Sequence, residues 1–130
     1  MITISKNFAS SSQIIGTDDG WVTLSGTTES FSSNVSLAAS GYEGAHLVVE
    51  LDYAASPTDN VNISIYGSLD GVNYDDTPLW TIQGDKSVDP QQLSFIVRDL
   101  AHFIVGVKQT GSTNAHNVRA YIKPWNWKAQ

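Results

Sequence analysis

Residues 61–76, Val-Asn-Ile-Ser-Ile-Tyr-Gly-Ser-Leu-Asp-Gly-Val-Asn-Tyr-Asp-Asp, join an alternating segment directly to an Asp-Gly dipeptide. Val61, Ile63, Ile65 and Leu69 fall on one side of an extended chain, and Asn62, Ser64, Tyr66 and Ser68 on the other. This period of two is the pattern of a half-buried strand. Asp70-Gly71 tolerates positive φ, as a tight hairpin connection requires. The stretch therefore predicts antiparallel β structure.

Working outward, the same alternation recurs. Leu47, Val49 and Leu51 oppose Val48 and Glu50 within 45–53, and Ser56-Pro57-Thr58-Asp59-Asn60 predicts the loop that follows. Leu79, Trp80 and Ile82 mark a short strand after Pro78. Leu93, Phe95 and Val97 form another, and Phe103, Val105 and Val107 a third. Val118, Ala120 and Ile122 alternate against Arg119, Tyr121 and Lys123, and this last strand is expected to end at Pro124. Residues 21–24 and 34–37 predict two further short strands. The His102 region, between the strands at 93–97 and 103–109, has room for one helical turn at most, and no ten-residue stretch shows a helical period.

These short strands, separated by Gly, Pro, Asn and Asp, predict an all-β fold: an antiparallel, jelly-roll-like β-sandwich of about eight strands. Val49, Leu51, Ile63, Ile65, Phe95, Val97, Val105, Val107 and Ile122 are its expected core, each worth about 1.5–3 kcal/mol when fully buried. Residues 1–20, with Ser10-Ser11-Ser12 and Asp18-Asp19-Gly20 around the apolar pair Ile14-Ile15, are expected to form an N-terminal arm carrying at most one short strand. Residues 21–130 are expected to form the sandwich domain.

At 130 residues without cysteine, the chain fits one domain that needs no disulfide and has no thiolate chemistry. The start, Met1-Ile2-Thr3-Ile4-Ser5-Lys6, lacks a signal-peptide core, and no apolar run approaches the ~20 residues of a membrane helix. A soluble protein of the cytoplasm is the expectation. Seven basic residues against thirteen acidic give a formal charge of −6. The basic residues are scattered, whereas a nucleic-acid binder concentrates them to displace phosphate counterions. Nucleic acid and membrane are thus not expected partners. The abundant Ser, Thr, Asn, Gln and Gly suit a surface that packs on protein or sugar.

No catalytic or metal constellation accompanies the pattern. His46, His102 and His116 lack ligand spacing and read as ordinary surface or loop residues. Serine is plentiful, but no Gly-x-Ser-x-Gly elbow occurs. Asp18, Asp19, Asp70, Asn73, Asp75 and Asp76 carry hard oxygen ligands of the kind calcium takes, yet none has the spacing of a calcium loop. Turn formation accounts for Asp70, and no cofactor is expected. Asn34-Val35-Ser36 and Asn62-Ile63-Ser64 match the glycosylation acceptor pattern by chance. Among the aromatics, Tyr66 points away from the core, and Trp125 and Trp127 lie beyond the expected last strand. With Ile14 and Ile15 of the arm they are the candidate interface residues, since Trp and Tyr concentrate at subunit contacts. Tyr74 and Trp80 are the candidates for stacking on sugar rings. The open sheet edges, and an arm able to pair with a neighbour, point to a homo-oligomer, of which a trimer is one form.

Residues 65–74, Ile-Tyr-Gly-Ser-Leu-Asp-Gly-Val-Asn-Tyr, followed by Trp80 and by Phe103-Ile-Val-Gly-Val-Lys-Gln-Thr-Gly111, resemble small virion proteins of tailed bacteriophages. The likeness covers residues 45–124 and is one of residue types. It implies a non-enzymatic β-sandwich subunit, such as a capsid decoration or tail-associated protein. Such a subunit binds its own copies and the major capsid or tail protein, is assembled in the host cytoplasm and resides in the virion. The Gly-Ser-x-Asp-Gly-x-x-Tyr stretch is also similar to carbohydrate-binding jelly rolls, which implies glycan recognition as the alternative.

Overall fold

Strands form wherever the alternation runs longest, and shorter ones gather at their edges. The computed structural model describes residues 4–129. In chain order the strands are β1 (Ile4–Phe8), β2 (Ser12–Ile15), β3 (Val22–Thr23), β4 (Ser30–Phe31), β5 (Val35–Ser36) and β6 (Gly44–Asp52). They continue with β7 (Val61–Ser68), β8 (Trp80–Gln83), β9 (Gln91–Arg98), β10 (His102–Gln109) and β11 (Asn117–Ala129). All pairings are antiparallel, and the strands divide into two sheets. The first runs β1-β11-β6-β9, with β2 and β3 also lying along β11; the second runs β4-β10-β7-β8, with β5 also along β10. One long strand in each sheet thus takes a single neighbour on one side and a series of short segments on the other.

The two sheets pack as a sandwich over one core. Val49 of β6 lies between Leu93 of β9 and Ala120 of β11, while Ile63 and Ile65 of β7 face Val107 and Val105 of β10. All nine expected core residues are buried. Phe103, Leu24 and Leu37 join them from β10 and from the loops. At one edge Trp80 of β8 packs on Phe95 of β9, with ring centroids 5.2 Å apart, so an aromatic pair closes the gap between the last strands of the two sheets.

Five expectations need correction. Leu69 does not share the core face of β7; it is 94% exposed, because the strand ends at Ser68 and the chain turns away. The Asp70-Gly71 turn is also no two-residue hairpin. Gly71 does take positive φ (77°), but Ser68 bridges to Tyr74 around a wider loop, and β8 begins only at Trp80. The Asp70 carboxylate accepts the Val72 and Asn73 backbone N–H groups at 2.8 Å each and organises that loop.

The last strand does not stop at Pro124. The Pro124 carbonyl accepts the Ala9 N–H, so its backbone N faces the break between β1 and β2, where no strand needs an N–H. Trp125 and Trp127 therefore lie within β11, paired to β1, rather than beyond it. Residues 4–8 and 12–15, expected within an arm carrying at most one strand, form two strands of the first sheet.

The fifth correction concerns His116, which is fully buried. Its Nδ1 accepts the Ala54 N–H at 2.9 Å, which leaves Nε2–H to donate to the Asp59 carbonyl at 2.8 Å. Gln109, equally buried, accepts the His116 N–H and donates to the Gly26 and Asn114 carbonyls. The Asp59 carboxylate takes the N–H groups of Thr113 and Asn114. This network ties three loops together at one end of the sandwich with its polar groups satisfied, as burial demands.

Candidate functional site

The site builds from the two-residue period of β1 and β11. Ile4, Lys6 and Phe8 alternate onto the outer face of the first sheet, and the pairings Lys6 with Trp127 and Phe8 with Trp125 put both indoles on that face. Lys123 and Trp125 are matched to His46 and Gly44 of β6, and His46 in turn to Ile96 of β9. Four strands thereby contribute to one surface.

Gly44 lets the Trp125 ring lie on the sheet. A Cβ there would stand 2.8 Å from the indole and 2.9 Å from the Val97 carbonyl, closer than packing allows. Trp127 meets Trp125 edge-on with centroids 5.2 Å apart, and Lys6 Nζ stands 4.5 Å from the Trp125 ring centre. This enclosure leaves Trp125 only 4% exposed although it belongs to the outer face, whereas Trp127 is 53% and Ile96 72% exposed. Beside Trp125 opens a depression of about 370 Å³, bordered by Lys6, Phe8, His46, Ser94 and Ile96. Its chemistry is apolar and aromatic, with the Lys6 ammonium and the His46 imidazole at the rim. That combination suits an aromatic or aliphatic side chain, or a sugar ring, carrying negative charge.

The outer face of the second sheet differs. Tyr66 of β7 stands beside Ile104 of β10, its hydroxyl donates to both oxygens of Glu29 at 3.0 Å, and its ring meets Phe31 edge-on at 5.8 Å. Burial and the Glu29 carboxylate raise the Tyr66 phenol above its ordinary pKa, so it stays a neutral donor. Phe31, Tyr66, Tyr74, Asp75 and Asp76 surround a second depression of about 360 Å³.

The candidate residues therefore separate. Trp125 and Trp127 come together on the first sheet, while Tyr66 lies on the opposite side of the sandwich. Ile15 belongs to the core, and Ile14 packs against it at an irregularity in the β2–β11 register. Of the two sugar-stacking candidates, Trp80 is half-buried against Phe95, and the Tyr74 hydroxyl is engaged by Asn34 and the Gly71 carbonyl.

Three of the acidic groups considered for calcium, Asp18, Asp19 and Asp70, act in local structure. Asp18 and Asp19 take positive φ in the turn after β2, and Asp19 accepts the Tyr121 hydroxyl. The N–H groups of Asn73 and Val72 hold the Asp70 carboxyl far below the usual carboxylate range. Among the described residues no group of three or more His, Cys, Asp or Glu side chains is arranged to hold a metal ion. Lys6, Phe8, His46 and Ile96 escape sequence reasoning, although the Ile4, Lys6, Phe8 alternation carries a faint signal for β1. Neither protein-family models nor curated protein sequences give a match to this chain.

Proposed function

We propose that the protein is a non-enzymatic structural subunit of a tailed-phage virion, a capsid decoration or stabilising protein that binds its own copies and the capsid lattice. The observation that carries this reading is the run of exposed apolar groups, Ile4, Phe8, Ile96 and Trp127, on one face of the first sheet. A soluble domain rarely leaves such groups adjacent unless a partner covers them, and aromatic residues dominate the centres of protein interfaces. The strand order supports a jelly-roll winding: the first strands lie beside the last one in one sheet, and β4 and β5 beside β10 in the other. On this reading the subunit assembles in the host cytoplasm, resides in the virion and needs no cofactor. The test is retention on purified particles. Wild-type protein is expected to copurify, and Phe8→Ala/Trp127→Ala to be lost while folded; a wild-type monomer absent from particles overturns the reading.

Glycan binding is the second reading, favoured by the depression beside Trp125 and by the exposed Trp127 indole that meets Trp125 edge-on. Its contacts would be Trp127 and Phe8 rather than Tyr74 and Trp80. Saturable glycan binding lost in Trp127→Ala without unfolding supports it, and silence across a broad panel counts against it.

A further inference from the structure

Around similar apolar centres the two outer faces carry unlike charge, with Lys108 also on the second face, at the Asn62 end of β7 and away from its depression. On the first sheet, Lys6, His46 and Lys123 surround Phe8, Ile96 and Trp127. On the second, Glu29, Asp75 and Asp76 surround Phe31, Tyr66 and Ile104. Ion pairing within the chain does not neutralise either set: among the described residues the ion pairs are Arg98–Asp99 and Arg119–Glu50. Lys123, His46, Asp75 and Asp76 are all exposed. In a chain of net charge −6, counted with neutral histidine, Lys6 and Lys123 stand on one side of the sandwich and Glu29, Asp75 and Asp76 on the other.

This asymmetry discriminates between modes of self-association. A two-fold contact between first-sheet faces would bring the Lys6 and Lys123 set of one copy against the same set of the other, and one centred on the second-sheet depressions would oppose Glu29, Asp75 and Asp76 to the same three. Both arrangements pair like charges across a desolvated centre, which is costly. A contact of one face with the other joins cations to carboxylates and covers both aromatic surfaces. Because the faces lie on opposite sides, each copy can make both contacts at once, and repetition gives a ring or a filament.

We propose that copies of this protein associate head to tail, the basic aromatic face of the first sheet in one copy seating on the acidic aromatic depression of the second sheet in the next. The inference rests on the structural-subunit reading above and names its copy-to-copy contact.

Charge reversal on exposed residues tests it without disturbing the core or the Lys6–Trp125 stack. His46→Glu/Lys123→Glu and Asp75→Lys/Asp76→Lys are each compared with wild type by analytical ultracentrifugation, with circular dichroism confirming the fold. Each variant alone is expected to self-associate at least about tenfold more weakly. A mixture of the two is expected to recover association at equal stoichiometry, because each reversed face then meets an opposite charge. Wild-type association is expected to weaken with salt.

Association that survives both reversals, or is lost but not recovered in the mixture, overturns the head-to-tail contact. If wild type or variants still bind particles in that case, the structural-subunit reading stands. A wild-type protein that neither self-associates nor binds particles overturns both.

Discussion

The buried polar end of the sandwich and the aromatic outer face of the first sheet handle their difficult groups in opposite ways. At the polar end, Gln109 and His116 are fully enclosed and bonded to the backbone of loops brought from elsewhere in the chain. On the aromatic face, Trp127 and Ile96 stay exposed. The first region is complete within one chain and explains how the fold is held. The second leaves apolar surface exposed, and on the reading proposed above a partner covers it. Substitutions should separate the two: the polar end should govern stability without touching association, and the face should do the reverse.

The largest effect is expected from His116→Ala. It strips the Ala54 N–H and the Asp59 carbonyl of their partners inside the molecule and leaves a cavity. Two unsatisfied buried groups plus the cavity are expected to cost about 3–5 kcal/mol. Urea unfolding measures this, and a loss below about 1 kcal/mol would show that the network does not hold the loops.

Tyr53 extends the same region into alkaline pH, since its ring lies edge-on to His116 with centroids 4.9 Å apart. Burial, and then the charges of Asp85 and Asp89, push its phenol up to about 12. In the unfolded chain it ionises near 10, so above that pH the folded state binds the extra proton. Its contribution is therefore complete below pH 10 and is lost as the pH rises toward 12, at up to about 1.4 kcal/mol per unit. Because Tyr66 and Tyr121 are raised too, the informative quantity is the difference from Tyr53→Phe, which should lack this part of the slope.

Gly44→Ala attacks the support of the aromatic face. The new Cβ meets the Trp125 indole and the fixed Val97 carbonyl, so the ring must lift and the sheet strain, at about 1–3 kcal/mol. Tryptophan fluorescence should shift to the red as Trp125 gains water. An unchanged spectrum would mean that the glycine is not what seats the ring.

The same contrast explains what could be read from the sequence. The long strands and all nine expected core residues were legible because period-two alternation is a local signal. β1 was not, because Ile4 and Phe8 are too few to mark a strand, and its partner Trp125–Ala129 lies at the other end of the chain. Pro124 misled for a physical reason: it ends a strand only where its N–H is required, and here it faces a gap. His116 sits in a polar stretch that looks like a loop, and its burial depends on Asp59, 57 residues away. On the site, the spacing of Trp125 and Trp127 puts both on one face by inspection. Their companions Lys6, His46 and Ile96 arrive through pairing between strands, which no single segment encodes.

Trp127→Ala carries the smallest stability effect and the sharpest test of the comparison. The indole is more than half exposed, and its contacts are the edge of Trp125 and a distant Lys6 Nζ at 5.9 Å. Its removal is expected to cost less than about 1 kcal/mol in urea unfolding, in the range of an exposed aromatic pair. Self-association and retention on particles, by contrast, should fall by at least about tenfold, as truncation of a central aromatic anchor does. A variant that loses stability but keeps association would reassign Trp127 to the fold. The aromatic face would then be no more than an outer extension of the core, and the division between a region that completes the chain and one that awaits a partner would fail.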